Sequence, residues 1–362
     1  MTLIIFIILF SILVLVHELG HFYWAKHFGI RVEEFGLGLP PKIKTLFRKN
    51  DTEYTLNWLP LGGFVRLLGE NSQEINPKDR PYAFSSKSRW QRTLVLLGGI
   101  INNFLLGILL FSIVYAVLGV PHIQGKRVIV LKVEPNSPAA LAGLKAGQVI
   151  QKLDGQPVTS ADTFTKQVKA KAGQMISLQV ASVDPNGQIN DQAELKSLIP
   201  RTNPPEGQGS LGVVISEMPQ ITYQPQPWYL APFYGLVTGT KEAYQWSREI
   251  ILSFINLVKQ SFHGQMPSDL AGPVGIYKMT GEAQKEGWLT LMRFAAILSI
   301  NLAIFNLLPF PALDGGRLLF VWLEKLIERR KLEKIEAWIH TLGFIILILL
   351  LLIVTWQDLN RH

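Results

Sequence analysis

The chain has 362 residues, of which 48% are hydrophobic and only 17% charged, and its net charge is +8. This length allows two or more domains, and the composition predicts a membrane protein with one soluble module. The sequence contains no cysteine, which excludes disulfide bonds, a thiolate nucleophile and cysteine-ligated zinc. Because the basic residues cluster beside apolar runs, we expect the lipid bilayer as a partner and no nucleic acid.

Four runs free of charged side chains are long enough, or nearly so, to cross a bilayer. They cover residues 2–16, continuing apolar through Trp24, and residues 93–125, 294–313 and 337–357. We therefore predict a polytopic α-helical membrane protein with four transmembrane helices. The first run has no basic segment before it and no small-residue cleavage site after it, so we expect it to be retained.

Basic residues are concentrated in two of the connecting segments. Residues 26–92 contain twelve Lys or Arg against seven Asp or Glu, and a second basic cluster lies within residues 317–334. By the positive-inside rule both segments are cytoplasmic. This orientation predicts that both termini and residues 125–293 are extracytoplasmic.

The first apolar run ends in His17-Glu18-Leu19-Gly20-His21, which matches the H-E-x-x-H signature of zinc proteases. The two histidines are one helical turn apart and can share a metal ion, while Glu18 can act as general base on a water there. The motif fixes only three residues, and chance matches occur in soluble helices. An unpaired glutamate is costly in an apolar run, however, which favours a metal site. His17 lies about 22 Å along the helix from its predicted start, so the motif belongs toward the cytoplasmic side.

Residues 54–68 form a further apolar segment that is too short to span. It alternates in polarity and is divided by residues 60–63, which predicts a membrane-associated β-hairpin that turns there. A helical substrate hides its peptide bonds, and an exposed strand edge could hold it extended by main-chain pairing. The candidate substrate-binding residues here are Gly62, Gly63, Phe64 and Val65. The alternative is an amphipathic hairpin on the surface.

The second apolar run contains two adjacent polar residues, Asn102 and Asn103. Asparagine at membrane depth can pair helices by hydrogen bonding. The alternative is a role beside the metal ligands or in contact with substrate, and the sequence leaves both open.

From residue 126 the sequence becomes soluble in character. Residues 128–133 alternate as a strand, 136–140 open a short helix, 142–150 lead into a second strand, and 153–158 form a turn between strands. This pattern resembles one extracytoplasmic PDZ domain (α+β) of the circularly permuted bacterial type, over residues 125–202. Gln148 stands where that type commonly has an acidic residue, so no peptide preference is transferred. Residues 228–262 are predicted as an amphipathic helical segment at the outer interface.

A catalytic zinc ion normally has three protein ligands and one open position. The third apolar run ends with Pro309 and Pro311, followed by Asp314-Gly315-Gly316. Prolines break a helix and leave backbone polar groups without their helical hydrogen bonds. At membrane depth such groups are tolerated only within protein or beside a water-filled cavity. Because this run travels inward, Asp314 reaches nearly the depth of the two histidines, which makes it the candidate third ligand. A boundary residue without a chemical role is the alternative.

Five motifs occur in order along the chain: HELGH at 17–21, LGGFVRLLGE at 61–70, GGIINNFLLG at 98–107, LAGPVGI at 270–276 and NLLPFPALDGG at 306–316. With them the chain resembles the bacterial site-2 proteases, intramembrane zinc metalloproteases of the cytoplasmic membrane. The resemblance implies that Zn²⁺ is bound by His17, His21 and Asp314 and that Glu18 is the catalytic glutamate. It also implies that Asn306 positions substrate or stabilises the reacting carbonyl, and that residues 54–68 form a re-entrant β-loop beside the active site.

We therefore expect four regions: an N-terminal catalytic membrane half at 1–124, a PDZ domain at 125–202, an extracytoplasmic linker at 203–290, and a C-terminal catalytic membrane half at 291–362. The predicted function is an intramembrane zinc endopeptidase that cleaves transmembrane segments of single-pass proteins. The resemblance implies anti-sigma factors and remnant signal peptides as substrates, trimmed beforehand by a site-1 protease. The PDZ domain is then either a steric filter or a peptide-binding module.

Two other functions use the same residues. A catalytically silent PDZ-bearing scaffold would be expected to have lost a ligand or the glutamate, and a metal transporter to carry more intramembrane acidic or histidine residues. The remaining histidines lack the spacing of partner ligands, and we expect them to be structural. They are His27, His122, His263, His340 and His362.

Overall fold

The computed structural model describes residues 1–70, 75–182, 193–205, 207–262, 272–327 and 329–360. The chain divides into two compact units, a membrane unit (Met1–Val117 and Trp228–His362) and a sheet unit (Leu118–Pro227). The elements that build the membrane unit are α1 (Thr2–His27), β1 (Val32–Lys49), β2 (Thr52–Leu67), α2 (Arg89–Leu118), α5 (Ala231–Phe262), α6 (Pro273–Glu286), α7 (Trp288–Leu307), α8 (Asp314–Leu323) and α9 (Arg329–Asn360). Those of the sheet unit are β3 (Val120–Val133), α3 (Pro138–Leu141), β4 (Gln148–Leu153), β5 (Gln156–Pro157), α4 (Ala161–Ala170), β6 (Ile176–Ser182), β7 (Glu194–Leu198) and β8 (Val213–Gln224).

Some predicted features lie outside the described residues. They are residues 183–192 of the predicted PDZ range, Leu270 and Ala271 of the LAGPVGI motif, and the histidines His263 and His362.

Within the described ranges, four helices are long and apolar enough to cross a membrane: Thr2–His27, Arg89–Leu118, Trp288–Leu307 and Ile335–Asn360. They match the four predicted spans in length and composition. The second is the most enclosed, with 44% of its apolar stretch buried against 11% for the last, so α2 lies at the centre of the helix packing. The third ends at Leu307 rather than at residue 313, because Pro309 and Pro311 do not continue a helix.

Two glycines bring α1 and α2 into backbone contact. A Cβ added to Gly20 would overlap the carbonyl group of Gly98, and one added to Gly98 would overlap the backbone of Gly20. A larger residue at either position would push the helices apart. The crossing lies inside the HExxH motif, so it fixes the distance between that motif and α2.

β1 and β2 form an antiparallel hairpin that turns at Asn50. The chain reverses direction again at the turn predicted at residues 60–63, because residues 53–56 run parallel to residues 34–37 whereas residues 63–67 run antiparallel to residues 32–37. The two arms on either side of this turn do not pair with each other. The first half of β1 instead lies between the two halves of β2, since Phe35 pairs with both Tyr54 and Val65. Alternating polarity reports which face a strand residue occupies but not which strand it pairs with.

The middle of β2 lies against the middle of α1. Ser11 Oγ donates to the backbone carbonyl of Pro60 at 3.0 Å. Gly62 has a φ of +79°, and a Cβ added to it would lie 3.1 Å from a methyl group of Val14, so glycine suits this position for both reasons. Since Ser11 and Val14 precede the HExxH motif, the hairpin extends past that motif toward the N-terminal half of the first span.

The sheet unit is one sheet in the order β7-β6-β4-β3-β8, with β5 paired to β4. Its core combines strand and helix side chains, among them Val130, Phe164 and Leu178. The side chains of Ser137 and Ser160 cap the N-termini of α3 and α4, which satisfies backbone N–H groups that have no partner within the helix.

β8 pairs with β3 along its length, from Val120 opposite Gln224 to Val133 opposite Val213. Residues 213–224 are therefore part of the sheet rather than of the predicted linker at 203–290. The sheet unit accordingly extends beyond 125–202 on both sides. The sequence did not reveal this strand because pairing between distant segments leaves no local pattern.

α6 is tied to the end of α9. The backbone N–H of Gly275, in the first turn of α6, donates to Oδ2 of the buried Asp358 at 2.8 Å. A carboxylate near a helix N-terminus is stabilising, so this contact holds the GPVG segment against the last span.

Candidate metal centre

Three potential metal ligands from distant parts of the chain meet in the membrane unit. His17 and His21 lie one turn apart on α1, and Asp314 is the first residue of α8. Asp314 Oδ2 lies 2.9 Å from His17 Nε2 and 3.2 Å from His21 Nε2, and the two Nε2 atoms are 3.1 Å apart. The three residues that the sequence suggested as ligands thus form one cluster able to hold a metal ion.

The chemistry of this cluster fits zinc. His21 Nδ1 lies 2.8 Å from the backbone carbonyl of Val95; only a protonated Nδ1 can donate there, so a neutral ring keeps its lone pair on Nε2. Asp314 Oδ2 is buried and has no hydrogen bond of good geometry among the described residues. Lone pairs that converge on one point repel unless a cation lies between them. Histidine and carboxylate ligands with one open position are also the donor set of catalytic zinc sites.

Asn103 contacts one of the ligands from α2. Its side-chain nitrogen lies 3.3 Å from His17 Nδ1, while its Oδ1 is buried without a hydrogen bond. The two ends of an amide are assigned from the surrounding network. If the oxygen and nitrogen of the Asn103 amide are exchanged, Oδ1 accepts a hydrogen bond from His17 Nδ1–H. The lone pair of His17 is then on Nε2, as in His21. Ser299 Oγ donates to the backbone carbonyl of Asn103 at 2.7 Å, so α7 supports this contact.

Asn102 has a different neighbour. Its side-chain nitrogen donates to the backbone carbonyl of Val16 at 3.2 Å. This is the helix-pairing role considered for the two asparagines, whereas Asn103 reaches a candidate ligand. The sequence could not show which asparagine makes which contact, because adjacent residues on a helix differ only in the direction of their side chains.

Gly99 provides the space for both imidazoles. A Cβ added to it would lie 2.6 Å from His21 Nε2 and 2.7 Å from His17 Cε1. Any side chain at Gly99 would therefore displace the ligands. The GG pair at 98–99 thus serves two purposes, since Gly98 allows the close helix crossing and Gly99 leaves room for the cluster.

Glu18 opens into a cavity of 380 Å³ that it shares with the ligands. The rest of the lining comes from β2 (residues 64–67), from Val95 and Leu96 of α2, and from Glu70, Ala312 and Arg317. Among the predicted substrate-binding residues, Phe64 and Val65 belong to this lining. The others, Gly62, Gly63, Asn102, Asn103 and Asn306, do not, and Asn306 is buried near the end of α7.

The loop before Asp314 is held by His340. Ala312 has a φ of +70°, unusual for a residue with a side chain, and its backbone N–H donates to His340 Nδ1 at 2.8 Å. His340 lies on α9, so the last span fixes the loop that delivers the third candidate ligand. The sequence analysis gave His340 no such role, and no spacing pattern could have indicated it, because its partner is a backbone group.

Two ion pairs fasten α8. Arg317, in its first turn, is hydrogen-bonded to Glu70, and both side chains line the cavity. At the other end, Arg92 of α2 binds Glu324 through two N–H···O contacts, one of 2.6 Å. Arg92 is buried and the Glu324 side chain is only 14% exposed, so removal of Arg92 would weaken the attachment of α8 to α2. These contacts restrict the movement of α8, and with it Asp314, relative to α2 and to Glu70, which follows β2.

Apolar helices long enough to span, a His-His-Asp cluster and a glutamate in the same cavity define a membrane-embedded metalloprotease. The sequence matches the family model for peptidase family M50 over residues 5–350. The chain belongs to this family, the site-2 proteases, and is a multi-pass zinc metalloprotease with a Zn²⁺ cofactor.

Relatives extend over nearly the whole chain. The chain is 31% identical to the zinc metalloprotease RasP of Geobacillus kaustophilus, with 98% of this chain and 97% of that protein covered. It is also 31% identical to the regulator of sigma-W protease RasP of Bacillus subtilis, with 99% and 98% covered. Among solved structures, the PDZ domain of an SdrC-like protein from Listeria innocua matches at 25% identity with a TM-score of 0.20, covering 25% of this chain and 92% of that one.

Proposed function

We propose that this protease cleaves peptide bonds inside the bilayer, within transmembrane segments of single-pass proteins. The observation that carries the proposal is the position of the cluster. His17 and His21 lie on an apolar helix of 26 residues, and the cavity around them is walled by β2, which packs along the same helix. A substrate segment must therefore leave the lipid to reach the site.

His17, His21 and Asp314 are the proposed zinc ligands and Glu18 the general base. Zinc, when bound, polarises the scissile carbonyl and makes a water molecule more acidic. Glu18 takes a proton from the attacking water and passes it to the nitrogen of the leaving amine. His21 is oriented by Val95 and His17 by Asn103, so both rings present Nε2 to the ion.

The proposed substrate-holding element is the second half of β2, with Gly62, Gly63, Phe64 and Val65. This half of β2 pairs with β1 along only one of its two edges, with Gly63 opposite Leu37 and Val65 opposite Phe35. In the described part of the chain the other edge has no strand partner, and an extended substrate could pair there. Phe64 and Val65 line the cavity, which brings such a pairing beside Glu18.

The asparagines divide into two proposed roles. Asn103 orients His17, and Asn102 pairs α2 with α1. Asn306 is the proposed residue that places substrate or stabilises the reacting carbonyl. In its favour are its buried position near the end of α7 and the short loop that separates it from Asp314.

For topology we propose that both termini are extracytoplasmic and that the protein resides in a bacterial cytoplasmic membrane. The basic clusters at 26–92 and 317–334 support this orientation. Cleavage then occurs toward the cytoplasmic side, since the ligands lie in the second half of an inward-running helix.

The proposed substrates are membrane anti-sigma factors and remnant signal peptides, trimmed first by a site-1 protease. The Bacillus subtilis relative is called a regulator of sigma-W protease, which supports a substrate class linked to sigma factors. We assign the sheet unit as a PDZ domain that filters substrates by size, with peptide recruitment as the other arm of the test described in the Discussion.

The deciding experiment compares the purified protein with its Glu18→Gln and Asp314→Ala variants. Zinc content and cleavage of a model transmembrane substrate are measured for each. Glu18→Gln should keep its zinc and lose at least about 10²-fold in rate, because it removes the base and no ligand. Asp314→Ala should lose zinc. Cleavage near the parent rate by Glu18→Gln, or full zinc affinity in Asp314→Ala, would refute the assignment.

A further inference from the structure

α5 packs beside the second span. A Cβ added to Gly235 would overlap the Ser112 carbonyl of α2, and one added to Gly239 would overlap the backbone of the same serine. Gly235 also approaches Ala116, one turn further along α2, so the two helices run in opposite directions. Small residues spaced by four on α5 allow this close approach, as at helix contacts within membranes.

α5 also follows the third span in register. Glu242 accepts a hydrogen bond from Arg293 of α7 at 3.0 Å, and the rings of Phe254 and Phe305 lie 6.1 Å apart. The two contacts are separated by twelve residues on α5 and by twelve residues on α7, or about 18 Å along each helix. α7 is one of the four helices able to span, and Phe305 immediately precedes Asn306. α5 therefore descends alongside a span to the level of the catalytic region, rather than lying flat at the interface as its sequence suggested.

The exposed surface of α5 divides into two stripes at helical spacing. One is apolar and includes Val237, Tyr244, Ile251 and Ile255. The other is mostly polar, with Leu252 among its members, and includes Lys241, Gln245, Arg248, Glu249 and Asn256. A helix surrounded by lipid would not need the second stripe, and a helix lying in water would not need the first.

The polar stripe reaches the depth where charge is most costly. Arg248 and Glu249 lie midway between the two contacts with α7, level with the centre of that span. They are 3.5 Å apart, and their side chains are 65% and 62% exposed. An ionised pair exposed to hydrocarbon is strongly disfavoured, and intramembrane charges face protein or a water-filled cavity.

We propose that α5 is a membrane-embedded helix whose polar stripe lines a water-filled cleft within the bilayer, while its apolar stripe faces lipid. The cleft carries water from the outer side toward the level of Asn306. The stripe provides a hydrophilic surface along which water descends. The inference rests on the packing and depth of α5 and not on the assigned catalytic roles.

The absence of native cysteine makes a direct test possible. Single variants are made in pairs that lie within one helical turn of each other: Gln245→Cys with Tyr244→Cys, and Arg248→Cys with Ile251→Cys. Open membrane fragments are treated with a charged maleimide that does not partition into lipid. The reagent reacts with the thiolate, which forms where water reaches the sulfur. Lys166→Cys on α4 serves as the water-exposed reference, and Leu349→Cys on α9 as the lipid-facing one.

Gln245→Cys and Arg248→Cys should react at least roughly tenfold faster than their partners. Equal labelling of all four would show that α5 lies in water outside the bilayer, and labelling of none would show that the stripe is dry. Either result overturns the proposal. Zinc content equal to that of the parent confirms that each variant is folded, and the labelling does not depend on cleavage, so it remains informative if the proposed function fails.

Discussion

The backbone N–H of Ala312 donates to Nδ1 of His340 across 2.8 Å, which joins the last span to the loop that carries Asp314. Ala312 makes this contact from a left-handed backbone conformation, with a φ of +70°. The contact also gives a histidine outside the motif an indirect effect on the ligand cluster.

We predict that His340→Leu weakens zinc binding by about 10-fold to 100-fold, the range found for groups that orient metal ligands. It leaves a partly buried N–H unpaired at a cost of about 1–3 kcal/mol. His340→Asn retains an acceptor near the position of Nδ1 and should recover most of the affinity. Competition with a chelator measures both. Equal affinity in the two variants would show that the loop does not depend on this hydrogen bond.

Asn103 and Asn102 offer a matched pair on α2. Asn103→Ala should lower zinc affinity by about 10-fold or more, because His17 loses the group that orients it. Asn102→Ala should lose only a helix–helix hydrogen bond, worth about 0.6 kcal/mol, with little change in zinc binding. Zinc titration and thermal unfolding of both proteins separate the two effects. The same zinc loss in both would assign the asparagines a shared packing role.

Val65→Pro tests the strand edge. Proline removes the backbone N–H of Val65, which hydrogen-bonds Glu18 and could pair with an extended substrate, so cleavage should fall by roughly fivefold or more, the worth of one hydrogen bond. Zinc content should not change. Ile43→Pro, in a part of β1 that is not in the cavity lining, is the control. If both variants cleave at the parent rate, the edge does not hold substrate.

Excision of residues 120–224 tests the function of the sheet unit. The structure allows residues 119 and 225 to be joined directly. A Cβ added to Gly119 would lie 2.7 Å from the nitrogen of Pro225, so the two ends already meet. A size filter predicts that the excised protein cleaves substrates with bulky extracytoplasmic domains, with no loss on short trimmed ones. A recruitment module predicts a raised KM for the trimmed substrate. A zinc-loaded product unchanged on both substrates would exclude the two roles together.

The sequence predicted the features that rest on local patterns. Hydropathy located four spans, and the spacing of His17 and His21 placed two imidazoles on one face of a helix. The break at Pro309 also followed from covalent geometry. The run of Pro and Gly at 60–63 correctly marked a reversal of the chain, but the local pattern did not show that the first half of β1 lies between the two arms.

Features that depend on contacts between distant residues could not be predicted. The Arg92–Glu324 pair, the bond from Ala312 to His340 and the pairing of β8 with β3 each join segments with no shared pattern. α5 is an intermediate case. Its apolar and polar residues were visible in the sequence, but its depth became apparent only from the register with α7.

The separation of the ligands along the chain has a consequence for biosynthesis. His21 and Asp314 are 293 residues apart (314 minus 21), so at about 5–20 residues per second the ribosome needs roughly 15–60 s to supply the third proposed ligand after the second. During that interval the nascent chain exposes the first span and its glutamate without a complete zinc site. On the proposed ligand assignment, the enzyme becomes active only after its third apolar helix has been synthesised, and an unfinished chain cannot cleave neighbouring membrane proteins.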